Sequence, residues 1–553
     1  MSALIDLLLE RRGIAQEARA AFLKPDYDRD IHPAQLLAGM ERAVARILAA
    51  MRANERIAIY ADFDCDGIPG AVLLSDVFDK LGYENYEVYI PHRDTEGHGV
   101  HVGALSTLIE HSVSLVVTVD VGVSAVEAVR YAKEHGLDVI VTDHHEPPSV
   151  LPECIVINPK LGEYPYRDLC GAAVAWKLAV ALLSEGRRPG IESFASIPDG
   201  WEKWLLDLVA IATVADLVPL TGENRALAHF GLIVLRKSPR IGLQTLFASL
   251  RIKQRLLSEE DISFALAPRV NAASRMDEPM LAFTLLKTSD AREAERVVAT
   301  LESLNAKRKG AVAHMVKEAR ARVVARYRPE ERVVVLGDTA WKPSLAGLVA
   351  NSLMSERGGA VCIWGETGTG EIKGSCRSDG TVPIAELLGR AGIFLEYGGH
   401  DASGGFSIAR DQVAILPEAL SRAAEGIARG AQELVPHDAL LPLSQVSWFM
   451  YEELSLLAPF GIGNEKPVFR IKNASVRTVK RFGKEKNHTE VELECFESGA
   501  RARSFDFCRE PEGFTLAPEG GATVDVIATI TRDTFRGERA LALRLVDIVP
   551  SRS

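Results

Sequence analysis

The sequence predicts an α/β protein in which a parallel-sheet domain is joined by a long helix to a smaller α/β domain and then to an all-β barrel. Three observations carry this. Between residues 56 and 160, short β-branched runs alternate with helical patterns. Residues 286 to 327 keep apolar spacings of three and four in a stretch rich in Ala, Glu, Arg and Lys. From about residue 440, short strand-like segments are separated by turn residues. At 553 residues the chain is too long for one core, and length implies about three or four domains. Hydrophobic residues at 47% and charged residues at 25% exclude a disordered chain.

Residues 1–45 read as a helical segment. Its apolar run "ALIDLLL" is broken by Asp6 and has no basic stretch ahead of it, so a secretory signal is not expected. No stretch approaches the roughly 18 apolar residues of a membrane helix, and the expectation is a cytoplasmic protein, monomeric and away from membranes. The seven cysteines include no C-x-x-C pair and are expected to stay reduced, with Cys65 read as filler.

The parallel-sheet domain is expected over 46–285. Its strands are "RIAIYAD", "YEVYIP", "LVVTVD", "DVIVTD" and "CIVINP", and the apolar runs among them read as central strands covered on both faces. "LLDLVAIATVADLVPL" reads as a buried helix ending near Asp216, ahead of Pro219. A connecting helix over 286–330 leads to the second α/β domain, 331–436, which opens with "RVVVLGD" and contains a helix started by Pro343 and Ser344. The barrel is expected over 437–553.

Each strand of the first domain ends in polar residues: Asp62, Asp64 and Asp66; His92 and Arg93; Asp120; Asp143, His144 and His145; Asn158. In an open parallel sheet the carboxyl ends lie along one edge, where ligands bind, so these sets should meet in one crevice. Asp62, Asp64 and Asp66 alternate and would point to one side of an extended strand end. Three crowded carboxylates repel unless a cation neutralises them, although the triplet alone reads equally as a solvated acidic turn. A calcium loop of the EF-hand type needs an acid at its twelfth position, and counting from Asp62 that residue is Leu73. The metal must recruit distant ligands, for which Asp120, His144, His145 and Asp216 are the candidates; Asp120 alone reads equally as a helix cap. Carboxylate and imidazole donors favour Mn²⁺, with Mg²⁺ or Fe²⁺ as alternatives. Six or seven ligands leave room for two ions roughly 3.5 to 4 Å apart that activate a water.

The net charge of −11 argues against a protein that coats nucleic acid generically. Residues 470 to 488 nevertheless hold seven Lys or Arg against one Glu, Lys480 and Arg481 among them, flanked by Phe469 and Phe482. That pattern fits either a solvated face or a surface that stacks bases and tracks a backbone.

"ADFDCDG", "TVDVG", "TDHHEP" and "ATVADLVPL" resemble the four motifs of the DHH phosphoesterases. "IPHRDTEGHG", "GAAVAWKLA", "RVNAASRM", "GSCRS" and "GGHDASGGFSI" narrow the resemblance to the RecJ-type exonucleases of that superfamily, in their domain order, over about residues 50 to 550. The resemblance implies hydrolysis of single-stranded DNA from the 5′ end to 5′-mononucleotides, in DNA repair and recombination. It implies catalysis and metal ligation by Asp64, Asp66, Asp120, His144 and Asp216, with Asp62 and His145 beside the metals and Asp143 orienting its neighbours. It implies substrate binding by Arg93, Arg275, Ser375 and Arg377, with Gly398, Gly399 and His400 on the second domain's surface, and an OB-fold that leads single strands to the nuclease. Arginine grips phosphate bidentately, although Arg93 or Arg377 alone would read as a surface ion pair. A helicase and a single-strand-binding protein are the candidate protein partners. The sequence departs from the family pattern at Val121, Ser274 and Cys65, where Asn, Gly and Ala are usual, and no ligand is lost. Two rival readings are a relative that cleaves very short RNAs or 3′-phosphoadenosine phosphate, and a non-catalytic replication scaffold.

Overall fold

A computed structural model describes residues 2–187, 192–276, 278–427, 437–483, 485–533, 537 and 540–551. The boundary expected at 436, and Lys484 of the basic run, lie outside the described residues. The chain divides into two compact units, one of Met1–Ile31, Pro219–His229 and Glu433–Ser553, the other of His32–Val218 and Phe230–Gln432. No helix among the described residues is long and apolar enough to cross a membrane.

The larger unit holds two sheets. The first comprises β1 (Arg56–Ala61), β2 (Tyr86–Tyr89), β3 (Val113–Val119), β4 (Asp138–Thr142) and β5 (Ile155–Ile157), all parallel, in the order β2-β1-β3-β4-β5. β1, β3 and β4 are nearly continuously buried, as their unbroken apolar runs require. Chain direction across the sheet reverses between β1 and β3. Loops leaving the carboxyl ends of those two strands part at this point and leave a crevice. The helices Gly67–Lys80 and Gly171–Gly186 pack together beside it, each almost wholly buried.

A helix of 36 residues, Ala291–Arg326, follows the shorter Pro279–Lys287. Asp290 caps it by accepting from the backbone N–H of Arg292 and Glu293. At 1.5 Å per residue it is about 54 Å long, long enough to serve two cores. Its first half buries Ala294, Val297, Val298 and Leu301, while Met315, Val316 and Ala319 enter the core of the second lobe. The helix expected over 286–330 is thus broken at 288–290 and runs without interruption only over Ala291–Arg326.

The second sheet runs β6 (Val333–Gly337), β7 (Ala360–Glu366), β8 (Ile372–Ser378), β10 (Ser403–Ile408), β9 (Glu396–Gly399), with only β6 and β7 parallel. One face packs on the long helix and on Pro343–Arg357, the other on Ile384–Ala391 and Leu416–Glu425. Cys362 and Cys376 lie directly opposite each other on β7 and β8 and form a disulfide, their Cα atoms 4.1 Å apart. The expectation that all cysteines stay reduced fails here, because strand register brings together two residues whose spacing in the chain resembles no redox motif.

In the smaller unit, β12 (Phe469–Phe482), β13 (His488–Glu494), β14 (Arg501–Asp506), β15 (Thr523–Arg532) and β16 (Leu541–Pro550) close into the expected barrel. Its order is β12-β13-β14-β16-β15, and a further pairing of β15 with β12 completes the circle; β11 (Ala439–Leu440) adds to β12 outside it. Ile5, Leu8 and Leu9 of the helix Ala3–Arg11 are buried in this barrel's core with Phe469, Ile471 and Val526.

Candidate metal centre

The carboxyl end of β1 supplies a tightly wound acidic loop. Asp64 Oδ1 accepts from the backbone N–H of Asp66 at 2.8 Å and of Gly67 at 3.2 Å, turning the chain into the helix that starts at Gly67. A Cβ on Gly67 would lie 2.4 Å from the Asp62 carbonyl oxygen, so the turn closes only around glycine. Asp66 is held across the crevice. Its two carboxylate oxygens accept from the Gly171 and Ala172 N–H groups at 2.6 and 2.7 Å, at the positive end of the helix Gly171–Gly186.

Asp120 follows β3 with φ +62, a left-handed backbone uncommon for any residue with a side chain. A Cβ on Gly171 would sit 2.4 Å from the Asp120 Cβ, so Gly171 is what lets the two segments meet. From the end of β4, His144 Nε2 reaches Asp120 Oδ1 at 3.2 Å, Asp216 Oδ2 at 3.6 Å and Asp66 Oδ2 at 3.7 Å. His145 Nδ1 lies 3.9 Å from Asp120 Oδ1. Asp143 turns away from this cluster: one oxygen accepts from the N–H groups of His144 and His145 and from the His145 ring, and the other from the Val123 N–H. Both backbone N–H groups and the His145 ring are thus tied to this one carboxylate.

Three overlapping groups bring donor atoms within 4.8 Å of one another: Asp62, Asp64 and Asp120; Asp66, His144 and Asp216; Asp120, His144 and His145. Every residue expected to hold a metal belongs to at least one.

The electrostatics fit a cation. Asp62 Oδ1 and Asp120 Oδ1 are buried without a hydrogen-bond partner among the described residues, an expensive state for a carboxylate. Burial, then the neighbouring carboxylates, push Asp62 and Asp120 well above the usual carboxylate range, Asp66 up to about 6 and Asp216 up to about 9. Burial and the adjacent His145 lower His144 to about 4, leaving it a neutral donor. Burial acts against the charged form of His145, yet its bond to Asp143 outweighs that and raises it. Burial would raise Asp143, but the same bond and the backbone donors hold it at about 2. Oxygen and imidazole donors without thiolate suit a divalent cation of the Mg²⁺ or Mn²⁺ kind.

Beside the carboxylates stands an arginine group from both lobes. The Arg93 guanidinium lies 4.8 Å over the Phe63 ring. Arg275 donates to the Ser344 carbonyl, and Arg377 donates to Ser375 Oγ at 2.9 Å and to the Cys376 carbonyl at 2.7 Å. Burial, then Arg93, Arg308 and Arg377, lower Arg275 to about 9. None of Arg93, Arg275 and Arg377 pairs with a carboxylate among the described residues. Gly347 leaves space for Arg377 and Ser375, since a Cβ there would meet Arg377 Nη2 at 2.8 Å and Ser375 Oγ at 3.0 Å.

Gly398, Gly399 and His400 are exposed at the end of β9, where Gly399 takes φ +142 to enter the turn to β10. No hydrogen bond joins them to the carboxylates among the described residues. In the barrel Lys480 is exposed, but Arg481 is paired with Glu510 and Glu512 at 2.6 Å. Arg470 pairs with Asp525 and Arg477 with Glu494, so much of the basic run is neutralised by partners on neighbouring strands.

Some site residues escaped the sequence reading. His98 Nε2 lies 3.8 Å from Asp62 Oδ1, with its ring edge-on to His145. Asn158 donates to the His145 carbonyl at 2.9 Å, and Asn271 accepts from the Cys65 N–H at 3.1 Å. Each carries a local signal without an assigned role: Asn158 ends a strand, and His98 and Asn271 lie within the motifs "IPHRDTEGHG" and "RVNAASRM".

Three family models match the chain: the DHH family, N-terminal domain over 56–213, the DHHA1 domain over 330–428 and the RecJ OB domain over 437–547. The single-stranded-DNA-specific exonuclease RecJ of Bacillus subtilis (strain 168) is 31% identical over 559 residues, an alignment covering 100% of this chain and 68% of the relative. The chain belongs to the RecJ family. The single-stranded-DNA-specific exonuclease RecJ of Thermus thermophilus is 31% identical over 522 residues, covering 93% of this chain and 71% of that one. A crystal structure of RecJ in complex with Mn²⁺ from Thermus thermophilus matches with TM-score 0.81 at 27% identity, covering 100% of this chain and 76% of that chain. A crystal structure of exonuclease RecJ bound to manganese matches with TM-score 0.61 at 31% identity, covering 72% of this chain and 97% of that chain. The closed barrel coincides with the RecJ OB domain, so the expected fold class holds from the parallel sheet to the barrel.

Proposed function

We propose that this protein is a divalent-metal-dependent exonuclease that degrades single-stranded DNA from its 5′ end to 5′-mononucleotides, in DNA repair and recombination. The observation that carries the reading is the convergence of three donor groups at the carboxyl edge of the first sheet, beside arginines with no carboxylate partner among the described residues. Asp62, Asp64, Asp66, Asp120, His144 and Asp216 hold two ions, Mn²⁺ by preference with Mg²⁺ as substitute. When bound, the ions supply Lewis acidity, lowering the pKa of water and offsetting charge on phosphate oxygens. The chain's own residues do the rest. Arg93, Arg275 and Arg377 orient the phosphates, and Ser375 adds a hydroxyl donor at the 5′ end. His145, held by Asp143 through a 2.8 Å bond, stands at the open side of the cluster as a proton donor.

We assign catalysis to 46–285, with the helix 286–330 linking it to a substrate-holding domain, 331–436, and a strand-guiding barrel, 437–553, after the helical segment 1–45. The surfaces of Gly398, Gly399 and His400 and of Lys480 and Arg481 contact the strand. We infer a cytoplasmic monomer that works beside a helicase and a single-strand-binding protein. The terminal barrel weighs against a hydrolase of very short RNAs, and the full donor set weighs against a non-catalytic scaffold. The test is to incubate protein and Mn²⁺ with single strands labelled at either end. Mononucleotides released first from the 5′ end are expected; loss of the 3′ label first, or products only from dinucleotides, would reject the reading.

A further inference from the structure

The peptide between Asp64 and Cys65 lies in the middle of the acidic loop, and its N–H points away from the loop's own acceptors. The neighbouring N–H groups are used locally: those of Asp66 and Gly67 go to Asp64 Oδ1, and that of Ile68 to the Asp64 carbonyl. The Cys65 N–H instead leaves the loop and is met at 3.1 Å by Asn271 Oδ1, 206 residues along the chain. Cys65 is buried, so losing that acceptor would leave its N–H desolvated and unsatisfied.

Asn271 is itself firmly placed. It sits on the helix Ala267–Arg275, one turn before Arg275 and on the same face. Arg275 donates to the Ser344 carbonyl while Ser344 Oγ donates back to the Arg275 carbonyl at 3.3 Å. A five-residue π-turn, Ile262–Leu266, precedes this helix, a rare device that recurs at functional sites. One short helix thus holds the acidic loop at Asn271 and the second lobe at Arg275.

We propose that Asn271 is a positioning residue for the metal centre: by fixing the Asp64–Cys65 peptide it holds the carboxylates of Asp64 and Asp66 at the separation a divalent cation needs. Hydrogen-bond partners of this outer kind tune metal affinity by about 10- to 100-fold. The proposal rests on the metal-binding reading of the cluster.

The test measures Mn²⁺ binding by calorimetric titration of the chelator-stripped full chain, as wild type, Asn271→Ala and Asn271→Asp. Single-strand affinity is measured in parallel by fluorescence anisotropy with chelator present. The expected result is Mn²⁺ affinity lower by about tenfold or more in Asn271→Ala, with metal-free strand affinity unchanged. Asn271→Asp retains an acceptor of the same shape and is expected to bind Mn²⁺ no more weakly than wild type. Wild-type Mn²⁺ affinity in Asn271→Ala overturns the assignment, as does loss of strand affinity with metal binding intact. Should Asn271→Ala fail to fold, the Asp variant decides alone: a tenfold loss of Mn²⁺ affinity there overturns the proposal. Failure of the wild type to bind Mn²⁺ would instead reject the metal reading itself.

Discussion

Among single residues, Asp120 and His144 carry the most consequence, since each belongs to two of the three donor groups. Asp120→Ala or His144→Ala is expected to abolish Mn²⁺-dependent release of nucleotides while leaving single-strand affinity within a factor of about two, the phosphate contacts being elsewhere; cleavage at the wild-type rate in either variant would contradict the site. The carboxylates also set a pH dependence. Asp62, Asp66, Asp120 and Asp216 titrate above their unfolded values, so the stability they contribute is complete at low pH and is lost as pH rises through about 6 for Asp66 and about 9 for Asp216. Asp143 acts in the opposite sense, its contribution fading only as pH falls towards about 2. Chelator-treated protein should therefore melt at lower temperature as pH is raised through that upper window. Mn²⁺ should remove most of the decline and Asp216→Asn should flatten its alkaline part. A metal-free melting temperature that climbs over the same window is incompatible with the cluster. The residue types were legible in the sequence because ligand chemistry is a property of side chains. Their protonation was not, because it depends on burial and on charges brought in from other strands.

The elements that build the site do so through close approach. The start of the helix Gly171–Gly186 meets Asp66 with two N–H groups and meets Asp120 across a gap that only glycine leaves. Gly171→Ala should cost about 1–3 kcal/mol in denaturant unfolding and also weaken Mn²⁺ binding. Gly242→Ala is the comparison: its Cβ would collide with the Leu285 carbonyl, away from the carboxylates, so it should destabilise without changing metal affinity. Equal effects of both variants on Mn²⁺ binding would show that the helix start has no special role. The strands were readable from their apolar runs and polar ends, and the long helix from its spacing. The collar of backbone donors around Asp66 was not, since the N–H groups at a helix start are the same whatever the side chains, and nothing local marks which carboxylate they face.

Over the whole molecule, charge pairing decides what the basic run can do. Arg470, Arg477 and Arg481 are each matched by a carboxylate on an adjacent strand or loop, whereas Lys480 is exposed. Lys480→Ala should lower the slope of log affinity against log salt by about one unit. Arg481→Ala should change it less, because Glu510 and Glu512 already compensate that charge. Anisotropy titrations at several salt concentrations test this, and a larger change for Arg481 would count against it. Domain order, the strands of the first sheet and the donor chemistry of each candidate ligand were readable from the chain alone, because periodicity, turn residues and donor type are local properties. It took the folded chain to show which carboxylates share His144, that Asn271 reaches the acidic loop, that Cys362 meets Cys376, and that the first helix is buried in the barrel's core. Those are distances between residues remote in the chain, and electrostatic and packing energies depend on distance and burial rather than on position in the sequence.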